Sequence, residues 1–390
     1  MLIGLVGRPN SGKSTFFKAA TLMDVLIAPY PFATIKPNHG MAYVKIKDLA
    51  AEFGKVSNPR EGYVKKGWRF VPFELIDVAG LVAGASEGKG LGNEFLNDLA
   101  PADAFIHVVD VSGETDAEGK PTKDYYPGKD IEVIEKELDL WYLGILKKVW
   151  KTFARTLEMQ KTNFAEAVAK QFSGLKVSQE DVKAVVLKEN FSIEKPSSWG
   201  EDELSRFSRA LRRKTKPMII AANKIDRPNG AENFEKLKEE FDYPIIPCFA
   251  DGELSLRQAD KAGLIEYLPG ENKFETKKIN EKQKEALEQI KEIIKTYGST
   301  GVQEVLNKAV FELIGYIAIF PAGAKMTDSK GNVLPDCYLM KKGSTALDFA
   351  FRLHTDIGNN FVKAIDIRTK KAVGKDYVLK HGDGLEIVTR

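Results

Sequence analysis

The chain has 390 residues, a formal net charge of +3, 29% charged and 43% hydrophobic residues, and two cysteines. Its length predicts two or three domains rather than one core, and its near-balanced charge demands no DNA or other nucleic-acid partner on bulk electrostatics alone. Cys248 and Cys337 lack C-x-x-C spacing, which excludes a zinc ribbon or disulfide framework and agrees with a cytoplasmic setting, and no apolar run approaches the ~18 to 20 residues of a membrane span.

The chain opens on a buried-strand pattern, Leu2-Ile3-Gly4-Leu5-Val6, which is expected to belong to the fold rather than to a signal peptide. It runs into Gly7-Arg8-Pro9-Asn10-Ser11-Gly12-Lys13-Ser14, a G-x-x-x-x-G-K-S string, with Thr15 to Ala20 beginning a helix behind it. A glycine-hinged loop at a helix N-terminus lets backbone N–H groups close around a polyphosphate. Lys13 is expected to neutralise the outer phosphates and Ser14 to ligate Mg²⁺. Asn10, Ser11, Gly12, Lys13, Ser14 and Thr15 are the candidate contacts of this loop.

Pro29-Tyr30-Pro31-Phe32-Ala33-Thr34-Ile35-Lys36-Pro37-Asn38 follows. On its own it reads as a proline-stiffened surface loop. Phe73-Glu74-Leu75-Ile76 is a strand pattern that delivers Asp77-Val78-Ala79-Gly80, a D-x-x-G at the carboxyl end of a predicted parallel strand, where open α/β sheets gather ligands. Asp77 can hold Mg²⁺ through a water, and the Gly80 N–H can meet a terminal phosphate.

A polar stretch from Gly113 to Gly128 precedes a long helical periodicity through Ile131, Ile134, Leu138, Trp141, Tyr142, Ile145, Val149, Phe153 and Leu157. Shorter helices are expected at 164–172, at 182–187 behind a Ser178/Asp181 cap, and at 204–211. Together they predict a helical arm. Its end carries Arg206, Arg209, Arg212, Arg213, Lys214 and Lys216, which read as a solvated face near a helix C-terminus or as an RNA phosphate contact.

Pro217 to Ala222 is a further apolar strand, and it delivers Asn223-Lys224-Ile225-Asp226. The Asp226 carboxylate of this N-K-x-D can accept from both N1–H and the exocyclic amine of guanine, a donor pair that adenine lacks. Guanine is therefore expected over adenine. Ile245 to Ala250 is strand-like and ends in Phe249-Ala250. Asn280 precedes a helical pattern that stops at Gly298, a second helix covers 305–314, and the tail changes to strands at 317–320, 337–340, 361–367 and 385–388, with a helix at 346–353 capped by Ser344 or Thr345. His39, His107, His354 and His381 are scattered, with no metal cluster among them.

These motifs, with the glycine-rich run Leu81-Val82-Ala83-Gly84-Ala85-Ser86-Glu87-Gly88-Lys89-Gly90-Leu91-Gly92 and Ala102 to Asp110, resemble the Obg group of translation-factor-type GTPases, nearest to its YchF-like and DRG-like members. The resemblance implies an α/β P-loop GTPase domain of mostly parallel sheet with helices on both faces. The glycine-rich run would be its second switch and 29–38 its first, with Thr34 joining Mg²⁺ and the γ-phosphate. The tail resembles the TGS domain, a β-grasp module, through Leu334-Pro335-Asp336, Lys342 to Ala350 and His354 to Gly358. The expected layout is a nucleotide domain at 1–110 and 216–275, a helical insertion at 111–215, linking helices at 276–314 and a TGS domain at 315–390.

GTP/GDP with Mg²⁺ is the expected ligand set, and Asn10 is expected to hold K⁺ as some relatives' asparagine does. Lys13, Thr34, Gly80 and Asn10 would carry hydrolysis. Leu81 stands where many GTPases place a water-orienting glutamine, so turnover should be slow without an activating partner. Ala250 fits the base-closing loop, whereas Phe249 lacks the usual hydroxyl and leaves only backbone contacts to the base. The expected role is a switch acting on the ribosome or RNA, with no membrane. Two alternatives stay open: an ATPase, since YchF-like proteins often lack the aspartate of N-K-x-D and prefer ATP, and a regulatory binder with negligible turnover.

Overall fold

The computed structural model describes residues 1–23, 37–78, 80, 84, 96–323 and 325–390. Backbone proximity groups them into two units, Met1–Gly40 with Glu74–Val305, and Met41–Phe73 with Leu306–Arg390. The strands up to residue 248 are β1 (Leu2–Val6), β2 (Asn38–Lys47), β3 (Tyr63–Lys65), β4 (Trp68–Asp77), β5 (Ala104–Asp110), β6 (Met218–Asn223) and β7 (Ile245–Cys248). The sequence pattern predicts a nucleotide-binding piece unbroken from 1 to 110, whereas 41–73 groups with the tail and the boundary falls inside β4.

In the first unit the end of β4, β1, β5, β6 and β7 lie side by side in that order, all parallel. β1, β5 and β6 are buried along their whole length, as continuous Val/Ile/Leu runs covered on both faces must be. The register sets Leu5 opposite Asp77, Val6 opposite His107, Asp110 opposite Asn223, and Asn223 opposite Cys248. The motif-bearing residues thus leave the sheet at one edge, its carboxyl edge.

Helix α1 (Lys13–Thr21) follows β1, and α2 (Gly128–Gln160) begins the arm with 33 residues on the predicted periodicity. The arm continues with α3 (Phe164–Gln171), α4 (Gln179–Glu189) and α5 (Glu201–Thr215). Ser178 and Asp181 form the expected reciprocal cap of α4. The arm's apolar stripe is one core with a face of the sheet: Trp141, Tyr142, Trp150, Phe164 and Phe207 join Val6, Ile76 and Phe105. Trp150 stacks on Trp199 at 5.1 Å and tilts against Phe207 at 5.7 Å. Each such ring contributes about 1.5–3 kcal/mol of burial to the packing of the arm. The opposite face of the sheet is covered by Ile131, Phe234 and Leu237 against Val109, Ile220 and Ile245.

The arm's cation run is not uniform. Arg212 is buried between Asp139 and Glu135 of α2, and Lys216 is buried with its ammonium on the carbonyls of Ala100 and Ala102. Burial lowers the Lys216 pKa to about 8. Two of the six cations therefore tie the arm to its base and do not face solvent.

The second unit places β2 beside β4, with β3 and β4 joined as a hairpin through Lys66 and Gly67, both in the left-handed region. Its tail strands are β10 (Tyr316–Pro321), β11 (Tyr338–Lys341), β12 (Phe361–Asp366), β13 (Ala372–Val373) and β14 (Gly384–Thr389), numbered after the short pair β8 (Ile265–Tyr267) and β9 (Phe274–Thr276) of the first unit. Their order is β11-β10-β14-β12-β13, with only β10 and β14 parallel. The helix Ala346–Leu353 is capped by Thr345 and Asp348 and buries Ala346 and Phe349 against Ile317, Ile319, Ala364 and Leu385. A helix laid across a mixed sheet is the β-grasp arrangement the tail pattern implies. His354 accepts from the Asp356 N–H at 3.1 Å, a local cap. The 41–73 segment is fixed to this unit by the buried Arg69, which donates to the carbonyls of Leu334 and Pro335, and by Arg60, which pairs with Asp328 and Asp336.

Candidate nucleotide-binding site

β1 ends at Val6 and α1 begins at Lys13, so Gly7 to Gly12 form the connecting loop. Gly12 has φ +95°, and a Cβ there would lie 2.2 Å from Nδ2 of Asn223. Only glycine permits both the turn and that approach. Lys13 is buried and donates to the Arg8 carbonyl at 2.8 Å. Burial lowers its pKa to about 8, against the opposing pull of Asp77.

Ser14 Oγ donates to Asp77 Oδ2 at 2.8 Å. Asp77 is fully buried, and its Oδ1 has no hydrogen-bond partner among the described residues. Burial raises its pKa, with Lys13 and Ser14 pulling the other way. A desolvated carboxylate oxygen left open next to a buried ammonium is costly unless something cationic or protic completes it. That donor set, a serine hydroxyl and an open carboxylate oxygen beside a phosphate cradle, fits Mg²⁺. The Ser11 hydroxyl is likewise buried without a partner, and Thr15 is half-buried on α1. Gly80 approaches the loop so closely that a Cβ would lie 2.6 Å from the Pro9 nitrogen.

Asn223 ties the base side of the site to this loop. Its Nδ2 donates to the Ser11 carbonyl at 3.0 Å, and its Oδ1 accepts from the Ala250 N–H at 3.1 Å. Lys224, at φ +64°, pairs with Asp110 Oδ2 at 2.7 Å. Burial alone would raise the Asp110 pKa, but Lys224 and the hydroxyls of Ser112 and Thr115 outweigh it and the net shift is downward. Asp226 follows on the same turn, its pKa raised by burial, with Arg227 at 3.5 Å. Phe249 turns its ring against Gly252, and the backbone N–H of Ala250 is held by Asn223 Oδ1.

Thr34 and Leu81, with most of the two expected switch segments, lie outside the described residues. The described candidates around the phosphates come together: Asp77 and Gly80 lie against the loop that carries Asn10 to Thr15, Asn223 is hydrogen-bonded to both Ser11 and Ala250, and Lys224 pairs with Asp110 at the end of β5.

Sequence reasoning missed a second layer. Asn10 Nδ2 donates to the Gly119 carbonyl at 2.8 Å, so the polar stretch after β5 folds back onto the loop. Arg8 is buried, ion-paired with Asp130 of α2, and lies 4.7 Å from the centre of the Tyr125 ring. Tyr125 in turn donates to Asp130 at 2.9 Å. Burial raises the Asp130 pKa to about 6 despite Arg8. Glu137, two turns along α2, accepts from the Gly84 N–H at 2.7 Å. A charged residue one or two turns into a helix carries no local mark of such a partner. His107 sits in β5 with both ring nitrogens buried and without a hydrogen-bond partner among the described residues, its pKa lowered to about 3 by burial and by Lys13 and Arg8, so it stays neutral.

Comparison with known families agrees with this geometry. Residues 2–139 match the family model described as 50S ribosome-binding GTPase, 221–323 match the Obg-like GTPase YGR210-like, G4 motif-containing domain, and 318–389 match the TGS domain. An uncharacterised GTP-binding protein of Methanocaldococcus jannaschii is 48% identical, covering 100% of this chain and 99% of its own. The ribosome-binding ATPase YchF of Bacillus subtilis is 30% identical over 97% of this chain and 96% of its own. A crystal structure of a GTP binding protein from Pyrococcus horikoshii superposes with a TM-score of 0.80 at 41% identity, covering 100% of both chains.

Proposed function

We propose, from the premise that this chain belongs to the Obg-like, YchF-related family of P-loop GTPases and carries its TGS domain, that it is a GTP-dependent switch that hydrolyses slowly alone and acts on the ribosome. The observation that carries the reading is the Ser14–Asp77 pair with its open buried carboxylate oxygen beside Lys13, joined through Asn223 to the turn that bears Asp226. Lys13 and the loop N–H groups would hold the β- and γ-phosphates, and Asp226 would accept from the guanine edge. Mg²⁺, held through Ser14, Asp77 and the expected Thr34, would shield the phosphate charge. Gly80 and Thr34 would report the γ-phosphate, and its departure as inorganic phosphate after attack by water would release them.

Ribosome action is supported by the relative named a ribosome-binding ATPase and by the family model over 2–139. Leu81 cannot orient water, so a ribosomal partner would have to complete the site. Single-turnover GTP hydrolysis, measured with and without ribosomes, should accelerate at least tenfold when they are added. No acceleration, with GTP still bound, would leave a nucleotide-stabilised binder and overturn the switch.

Asn10, on the phosphate loop, would hold a monovalent cation beside the phosphates. Hydrolysis in potassium buffer should exceed that in sodium buffer, and Asn10→Ala should abolish the difference. Equal rates in the two buffers for the unaltered protein would remove this role.

The Lys13 shift sets a pH dependence. In the free protein its amine loses its proton above about pH 8, whereas an anionic phosphate against it raises that pKa, so binding takes up a proton at alkaline pH. GTP affinity should be flat from this group below pH 8 and fall by up to about tenfold per unit above it. The free protein behaves oppositely. Its folded pKa lies below the ordinary 10.5, so this group's contribution to stability rises with pH between about 8 and 10.5. Titrating a fluorescent GTP analogue from pH 7 to 9.5 tests the binding limb, and a level profile contradicts it.

A further inference from the structure

Helices α4 and α5 of the arm enclose a groove of about 540 Å³ that has no role in the nucleotide site. Lys188 and Glu189 line one side, and Arg206, Arg209, Arg213 and Lys214 the other. The α5 positions recur at three- and four-residue steps, so they form one face about 12 Å long at 1.5 Å per residue. Five cations face one carboxylate in a chain whose whole surplus is +3. The concentration is local.

The arginines are already ordered. Arg209 pairs with Asp139 at 3.2 Å and Arg213 with Glu135 at 2.6 Å, both acids on α2. Each guanidinium carries five N–H donors, so one carboxylate partner leaves others for a ligand. Arg206 lies 5.3 Å from the centre of the Phe191 ring and donates to the Glu189 carbonyl at 3.4 Å. Lys188 and Lys214 have no ion-pair partner among the described residues. Their charge is uncompensated. The small side chains of Ala184 and Ala210 between the two rows keep the floor low.

A single phosphate is shorter than this row, and a simple cation surface would not need two helices and braced arginines. A repeating polyanion fits it: cations along both walls meet successive phosphates, and the Arg206–Phe191 platform offers a guanidinium face on which an unstacked base can lie. We infer that the α4–α5 groove binds the sugar–phosphate backbone of single-stranded RNA, without sequence selection. The inference stands apart from the nucleotide chemistry, since the groove is lined by α4 and α5 and the phosphate loop runs from Gly7 to Gly12.

The test uses the full chain and a labelled oligouridylate in fluorescence anisotropy across a potassium chloride series. Lys188→Ala with Lys214→Ala removes the two uncompensated charges without orphaning a buried acid, and retained binding of a fluorescent GTP analogue confirms the fold. The double variant should bind at least tenfold more weakly at low salt. The slope of log affinity against log salt should shrink by about 1.4, at ~0.7 for each single-strand phosphate no longer neutralised. No RNA binding by the unaltered protein, or the same affinity and slope in the variant, would overturn the inference. So would polyglutamate displacing the RNA at equal charge concentration, which would make the groove an acidic-peptide site.

Discussion

Replacing Lys13 by methionine should weaken GTP binding by about 100- to 1,000-fold while leaving the protein folded. The buried ammonium is the group that would meet the outer phosphates, and removing one partner of a desolvated charge pair costs about 3–4 kcal/mol. The same burial that makes the interaction strong makes the free lysine costly, as its pKa near 8 records. Methionine keeps the stem and drops the charge, so the variant should melt no lower than the parent, even though Asp77 loses a favourable neighbour. The two readouts separate a missing phosphate partner from a damaged fold. Unchanged affinity by calorimetry would contradict the phosphate role of the loop.

The second large effect is expected at the base. Asp226→Ala should cost GTP at least about 100-fold and leave ATP nearly unaffected, because the carboxylate's two acceptor sites match N1–H and N2 of guanine and nothing on adenine. Inosine triphosphate sharpens the test. It keeps N1–H and lacks the exocyclic amine, so it should bind more weakly than GTP to the parent, and the gap should close in the variant. Phe249 offers no hydroxyl, and Ala250 N–H is already engaged by Asn223, so guanine selectivity would rest on this one side chain. If the parent binds ATP more tightly than GTP in competition, the guanine assignment falls, and the chain joins the relatives named as ATPases.

What could be read ahead of the structure was local. The strand before each motif, the 33-residue α2, the Ser178/Asp181 and Thr345/Asp348 caps and the tail strands all follow from periodicity or from short-range chemistry. What could not be read joins distant residues. Arg8 meets Asp130, Asn10 meets Gly119 and Gly84 meets Glu137 across 53 to 122 positions, and each acid reads in the sequence like any other exposed helix charge. The basic run shows the same limit: 206 to 216 reads as one solvated patch, yet Arg212 and Lys216 are consumed by burial. The hairpin at 63–77 groups partly with the tail for a similar reason, since Arg69 finds its carbonyls more than 260 residues away.

Helix α2 gathers these distant interactions onto one uninterrupted rod. Asp130 grips the phosphate loop, Glu137 holds Gly84, and Glu135 and Asp139 brace the arginines of α5, all in the N-terminal part of the helix. The fulcrum therefore sits near one end. From Asp130 to Gln160 the rod runs about 45 Å, so a tilt of roughly 5° at the phosphates sweeps the far tip by about 4 Å. Were hydrolysis to shift atoms at the phosphates by fractions of an ångström, the length of this helix alone would enlarge the shift at the far tip.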